Sequence, residues 1–288
     1  MLGWKYISPL LCTLSAQVSA TSVSVLYQFP SGTWIENMAV RSNGNILVVL
    51  WSAPEVYEIN PFVLPSTAQL VARSSYSLWT FDLRTSKLSG KAELSRIIAS
   101  VPNVGILNGL TKLSNTMLLA SDTKLGAVVR FDLRSNSSEV AIKDDTMVGL
   151  PLDLGAGING IRARNSTIYY NNSIRGIFCR LEEDTRSGDA IGSAHVVADG
   201  LGFLDDLAIG RDQDDPSYLM QYLAGSVVQV QANGSSAVVA DGLDFPSSAQ
   251  FGRTLEDGNR LYVTSTGFPP GLYLKGLFAG GKVYMIDL

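Results

Sequence analysis

The feature that most constrains this chain is a segment that recurs five times. "IENMAVRSNGNILVVLWSAPEVYEI" spans residues 35–59 and "LNGLTKLSNTMLLASDTKLGAVVRFDL" spans 107–133. "INGIRARNSTIYYNNSIRGIFCRL" (158–181), "LDDLAIGRDQDDPSYLMQYLAGSVVQV" (204–230) and "PSSAQFGRTLEDGNRLYVTSTG" (246–267) follow. Each has the same grammar: a polar residue, an apolar strand, a turn, a second apolar strand, a turn of small residues, and a third strand. The connecting stretch supplies a fourth. Four-stranded antiparallel sheets repeated at this period pack radially into a propeller, since one such sheet cannot bury its faces alone.

The polar openers are Glu36, Asn108, Asn159, Asp205 and Ser247. The last four are 51, 46 and 42 residues apart, whereas the first gap is 72. Within that gap "SSYSLWTFDL" (74–83) reads as the third strand of a blade whose first two strands are not recognisable. The expectation is an all-β, six-bladed propeller with a shortened second blade. The strand-like "TSVSVLYQF" (21–29) and "GGKVYMIDL" (280–288) should pair in one blade, closing the ring and removing free edges.

The first 20 residues read as a cleavable secretory signal. Met1–Lys5 carries one positive charge, "YISPLLCTLSAQV" is apolar but too short to span a bilayer, and Val18-Ser19-Ala20 is a small-residue cleavage site. The expected mature chain is a single propeller domain over 21–288, in the secretory pathway or secreted. Cys12 leaves with the signal, so Cys179 remains alone, with no intramolecular disulfide and no Cys-based metal site. Sequons at Asn136, Asn165, Asn171 and Asn233 fall at predicted turns or strand ends and are expected glycan acceptors. No later segment reads as membrane-spanning. A net charge of −4, a pI near 5.1 and no basic stretch argue against nucleic-acid partners. The single histidine, His195, reads as part of an outer strand, which disfavours a His-based triad or a His-rich zinc site.

In a propeller the innermost strand of each blade lines a central channel. Residues at one point of each inner strand then converge on its mouth. Glu36, Asn108, Asn159 and Asp205 would form a ring of oxygen donors. Two carboxylates with amide carbonyls suit a hard cation such as Ca²⁺ or Mg²⁺. Spacing alone favours a plainer role, bonding backbone groups at strand starts, because Asn-Gly is common turn chemistry.

On these residues the chain resembles the SMP-30/gluconolactonase/LRE-like six-bladed propellers. There a Glu in the first inner strand, two Asn opening later inner strands and an Asp in a "PDG" turn surround one divalent metal, which contacts a substrate lactone. "IENMAV", "LNGL", "INGI" and "LDDL" supply Glu36, Asn108, Asn159 and Asp205 in the same order. The resemblance makes Glu36, Asn159 and Asp205 metal ligands and Asn108 the substrate-side Asn. "LDDL" in place of "PDG" leaves Asp205 and Asp206 as alternatives. "ENMAVRSNGNILV", "LNGLTKL", "GINGI" and "LYVTSTG" resemble most closely a secreted fungal branch. That branch includes hetero-Diels–Alderases joining a tropolone-derived quinone methide to a humulene-type sesquiterpene alcohol.

Three functions follow as expectations, each with small-molecule partners. The first is such a pericyclase, with Glu36, Asn108, Asn159 and Asp205 as its polar groups and Trp34, Trp51, Tyr169 and Phe203 as apolar walls. It requires no cofactor and depends on orientation, worth ~7–11 kcal/mol in a near-attack pose. The second is a lactonase, with the cation polarising the carbonyl and activating water and Asp205 or Glu36 as base. The third is a non-catalytic small-molecule-binding propeller.

Overall fold

The computed structural model describes residues 21–73, 78–83, 92–98, 104–150, 156–211, 215–267 and 279–288. The expected signal segment, with Cys12, lies outside the described residues. Twenty-two strands were found among those described. Alternating apolar positions set the faces: in β2 (Ile35–Val40), Ile35, Met38 and Val40 are buried.

The strands build five four-stranded antiparallel blades. Blade I runs β2, β3 (Ile46–Leu50), β4 (Glu55–Ile59), β5 (Ala68–Arg73). Blade II runs β8 (Leu107–Lys112), β9 (Met117–Asp122), β10 (Ala127–Asp132), β11 (Ser137–Lys143). Blade III runs β12 (Ile158–Arg164), β13 (Thr167–Asn172), β14 (Ile177–Glu183), β15 (Ala190–Ala198). Blade IV runs β16 (Leu204–Ile209), β17 (Ser217–Gln221), β18 (Ser226–Val230), β19 (Ser236–Ala240). Blade V runs β20 (Pro246–Phe251), β21 (Arg260–Ser265), β22 (Lys282–Asp287), β1 (Ser22–Gln28). β1 pairs with β22 from Ser22↔Asp287 to Gln28↔Lys282, so the ends of the propeller close one blade. His195 lies exposed on β15, an outermost strand.

The expectation of six blades is corrected to five. Between β5 and β8 the described chain holds only a hairpin, β6 (Leu78–Asp82) with β7 (Glu93–Ile98). The hairpin is tied in on both sides: Ala92 N donates to Val71 O of β5 (3.1 Å), and Leu78 packs against Ala120, Val129 and Phe131 of blade II.

The cores lie between neighbouring blades. Leu119, Val128 and Ile142 of blade II interleave with Ile158, Ile161, Tyr170 and Cys179 of blade III. Equivalent layers join blades III and IV around Phe178 and Leu219, IV and V around Met220 and Val263, and V and I around Tyr262 and Ile46. Each fully buried aliphatic or aromatic side chain contributes ~1.5–3 kcal/mol. These layers hold β2, β8, β12, β16 and β20 side by side at the centre, β8 against β12, β12 against β16, β16 against β20 and β20 against β2.

Candidate active site at the channel mouth

Every inner strand carries a β-bulge at its polar opener. One extra residue intervenes between Ile35 and Asn37, Leu107 and Leu110, Ile158 and Ile161, Leu204 and Leu207, and Pro246 and Ser248. A bulge re-aims the side chains beside it and releases them from the ladder. Five bulges at one level turn five polar residues out of their sheets.

The glycines after two openers serve close approach, not turn chemistry. A Cβ on Gly109 would lie 2.7 Å from Asn159 O and 2.9 Å from Ile161 N of the next inner strand. One on Gly160 would strike Asp206 Oδ1 and lie 2.7 Å from Asn171 Oδ1. The Asn-Gly pair therefore puts an amide at the mouth and lets neighbouring strands touch.

Glu36 is half-buried. Its Oε2 accepts from Trp34 Nε1 (2.7 Å), and its Oε1 accepts from Asn108 Nδ2 (3.5 Å), linking blades I and II. Asn159 and Asp205 are buried. Asn159 Nδ2 donates to Ser173 Oγ (3.0 Å). Asp206 has a different role. Its Oδ2 takes Arg162 Nη2 (2.7 Å) and Ser248 Oγ (2.6 Å), a buried ion pair beneath the mouth. Of the two alternatives, Asp206 is committed to that pair, while Asp205 shares the mouth with Glu36 and Asn159. Ser247 keeps the plainer role: its Oγ donates to Ile35 O (2.9 Å).

Glu36 and Asp205 thus lie within reach of each other's charge and of Asp206, and of the three only Asp206 pairs with Arg162. Burial pushes Glu36 up from 4.5 to about 7; the nearby Asp206 charge adds to this, against the bonds from Trp34 and Asn108. Burial also raises Asp205 well above the usual carboxylate range, reinforced by the charges of Glu36 and Asp206. The Tyr222 phenol is raised by burial and then by the Asp205 and Glu36 charges, which puts it beside them.

Among the described residues no three His, Cys, Asp or Glu side chains gather into a metal-binding group. The donors at the mouth are the carboxyls of Glu36 and Asp205 and the amides of Asn108 and Asn159. Asn159 Oδ1 is buried without a hydrogen-bond partner among the described residues, next to carboxyls that repel each other. An orphaned carbonyl oxygen in that setting fits a hard cation.

Aromatic rings adjoin the polar openers. Trp34 and Trp51 lie 6.1 Å apart by centroid. Phe203, Tyr222 and Phe245 form a chain, at 6.1 Å and 5.5 Å. Tyr169 is corrected: it stacks on Phe178 and under Arg164, in the groove between blades III and IV rather than at the mouth. Tyr222, Phe245, Arg162 and Ser248 escaped sequence reading, and Asp206 entered it only as the alternative to Asp205. Ser248 was signalled only by a second polar residue beside an opener.

The sequons divide. Asn136, Asn165 and Asn233 are exposed, the first two with φ of 55° and 50° at tight turns. Asn171 is corrected as a glycan acceptor. It is fully buried in β13, and its Nδ2 donates to Asp205 O (2.7 Å).

No family model matches the chain. A protein named "Putative hetero-Diels-Alderase asR5" from Sarocladium schorii is 24% identical over 274 residues, covering 72% of this chain and 66% of that relative. Among solved structures, the gluconolactonase XC5397 from Xanthomonas campestris superposes with a TM-score of 0.65 at 13% identity, covering 96% of this chain and 93% of that one. A luciferin-regenerating enzyme gives 0.64 at 13%, covering 93% and 95%. At these identities the two structures establish a shared propeller fold.

Proposed function

We propose that this protein is a fungal hetero-Diels–Alderase of the SMP-30/gluconolactonase-like propellers, joining a tropolone-derived quinone methide to a humulene-type sesquiterpene alcohol at the channel mouth. The observation that carries this reading is a carboxyl pair at one level of the inner strands, half-buried Glu36 raised to about 7 and buried Asp205 raised above the usual carboxylate range, with Trp34 and Phe203 two residues before them. The likeness to asR5 supports the reaction class.

The reaction needs no nucleophile. The C=C–C=O unit of the quinone methide and a C=C bond of the sesquiterpene form one C–C and one C–O bond, and no proton moves. Catalysis is orientation plus polarisation of the diene. A carboxyl that keeps its proton at neutral pH donates a hydrogen bond to the quinone methide carbonyl and makes the diene a better electron acceptor. Asp205 carries that proton in our reading. Glu36, fixed by Trp34 Nε1, holds Asn108 at the mouth, and the Asn108 amide orients the carbonyl. The aromatic walls exclude water from a water-sensitive diene. In this reading the chain passes through the secretory pathway and loses its first 20 residues.

A second reading, a lactonase, is favoured by the orphaned Asn159 Oδ1 beside the two carboxyls. Glu36, Asn159 and Asp205 would hold a Ca²⁺ or Mg²⁺ ion, which supplies Lewis-acid polarisation of a lactone carbonyl when bound. The distinguishing experiment incubates the protein with quinone methide precursor plus humulenol, and separately with gluconolactone, with and without EDTA. Cycloadduct that persists in EDTA supports the pericyclase. EDTA-sensitive lactone hydrolysis without cycloadduct overturns it, and product in neither incubation returns the chain to a binding role.

A further inference from the structure

The residue two before each opener occupies an equivalent place on the rim of the mouth. Those residues are Trp34, Ile106, Gly157, Phe203 and Phe245. Four are large and apolar, and all four keep part of their surface exposed. Gly157 is excluded from that pattern by packing, since a Cβ there would lie 2.6 Å from Met147 O and 2.7 Å from Thr123 O. The mouth is thus collared by apolar side chains around a polar floor.

One collar residue is held against its own backbone preference. Phe245 has φ of 57°, a left-handed conformation that bulky L residues avoid. The chain contains its own control. "ADGLGFLD" (198–205) and "ADGLDFPS" (240–247) are equivalent turns, with Gly200 (φ 65°) matching Gly242 (φ 73°). In the first, the next left-handed residue is Gly202 (φ 73°), and Phe203 follows it unstrained. In the second, Asp244 stands where Gly202 would be, and the left-handed conformation falls on Phe245.

The surroundings over-determine this geometry. Phe245 N donates to Leu243 O (3.0 Å), and Thr266 N donates to Phe245 O (3.1 Å). Asp244 N donates to Tyr284 Oη (3.1 Å), and the Asp244 carboxylate pairs with Lys282 Nζ (2.5 Å). Strain pinned from several sides belongs where the side chain has a task. The ring does not fill a core. The ring contacts Tyr222 and keeps part of its surface exposed, and it precedes β20, the inner strand that packs against β2 and its neighbour Trp34. A purely structural turn would take glycine here, as its counterpart does one residue earlier.

We propose that Phe245 is a substrate-positioning residue, whose ring, with Phe203 and Trp34, clamps a planar conjugated ligand over the carboxyl floor of the mouth. The proposal rests on the reading of the mouth as the active site. It narrows the ligand class to flat π-systems, because stacked rings reward planarity and puckered rings cannot match it.

The test uses the full-length protein as expressed, tropolone as probe and 2-hydroxycycloheptanone as its puckered counterpart. Phe245→Gly, Phe245→Leu and Phe245→Tyr are compared by calorimetric titration and thermal melting, with Asp205→Asn alongside. Phe245→Gly should melt at or about 2–4 °C above the wild type, since strain is relieved. It should bind tropolone about tenfold more weakly, with binding of the puckered compound unchanged. Phe245→Leu should lose tropolone affinity without losing stability, and Phe245→Tyr should restore it. Tropolone binding that survives Phe245→Gly and Phe245→Leu but not Asp205→Asn overturns the role of Phe245 and leaves the site standing. Binding indifferent to all four variants, or absent in the wild type, overturns both. Loss of tropolone affinity only in variants that also melt well below the wild type makes the ring structural and overturns the proposal.

Discussion

Replacing Glu36 by Gln should remove a defined part of a pH-dependent loss of stability that the wild type suffers on its way to alkaline pH. Burial lifts the Glu36 carboxyl from 4.5 in the unfolded chain to about 7 in the fold. The folded state therefore holds this proton more tightly than the unfolded state does. Its contribution is fully present below pH 4.5 and is lost as pH rises through 7. At 1.36 kcal/mol per tenfold change in proton affinity, the loss from this group is ~3 kcal/mol between about pH 4.5 and 8. Asp205 is shifted in the same direction and adds to the slope. Glutamine keeps the carbonyl that accepts from Trp34 Nε1 and cannot ionise. Urea unfolding at fixed temperature in EDTA, stepped from pH 5 to pH 8, should show the wild type losing ~2.5 kcal/mol more than Glu36→Gln. Parallel profiles for the two proteins, or a wild type that gains stability over this window, would refute the reasoning.

Three further outcomes follow from the same geometry. Arg162→Ala leaves Asp206 buried with its ion-pair partner gone and should cost ~3–5 kcal/mol in urea unfolding, with Asp206→Asn in the same background recovering part of it. Gly160→Ala pushes a methyl into Asp206 Oδ1 and Asn171 Oδ1 and should destabilise the fold by ~1–3 kcal/mol while displacing the mouth carboxyls, read as a lower pH midpoint for Glu36 by carboxyl NMR. Expressed in yeast, the protein should show endoglycosidase-sensitive gel shifts that depend on Asn136, Asn165 or Asn233 and are unchanged by Asn171→Gln, because Asn171 is sealed against Asp205 O in the fold.

Much of the fold was legible because a propeller writes one rule several times. Each repeat needs an inner strand with one face toward each neighbour, so apolar residues recur and the polar openers stand out. The closing blade was legible for the same reason, as β1 and β22 carry alternating patterns at the two ends of the propeller. The blade count was not. A blade is recognised by its inner strand, and the stretch between Arg73 and Leu107 yields an outer-type hairpin without one among the described residues. The openers Glu36, Asn108, Asn159 and Asp205 could be found because they share a repeat position. Asp206 could be named only as an alternative to Asp205, and its pairing with Arg162 and Ser248 could not be read, because it runs between blades III, IV and V and no spacing within one repeat encodes it. Tyr169 was misplaced for a related reason: it lies on β13, the second strand of its blade, where its ring stacks on Phe178 in the groove between blades III and IV. Phe245 left a trace in the paired "ADGLxF" turns, legible only once the left-handed residue in each turn was known.

The measurement that bears most directly on the mouth as a cycloaddition site is the initial rate of cycloadduct formation from quinone methide precursor and humulenol, in EDTA, for wild type, Asp205→Asn, Glu36→Gln and Asn108→Ala. If the mouth orients and polarises the diene, each variant loses a graded amount, about tenfold for every 1.4 kcal/mol of lost hydrogen bonding, with the product's stereochemistry eroding in step. Rates and stereochemistry equal to wild type in all three variants would contradict it and move the reaction elsewhere on the protein.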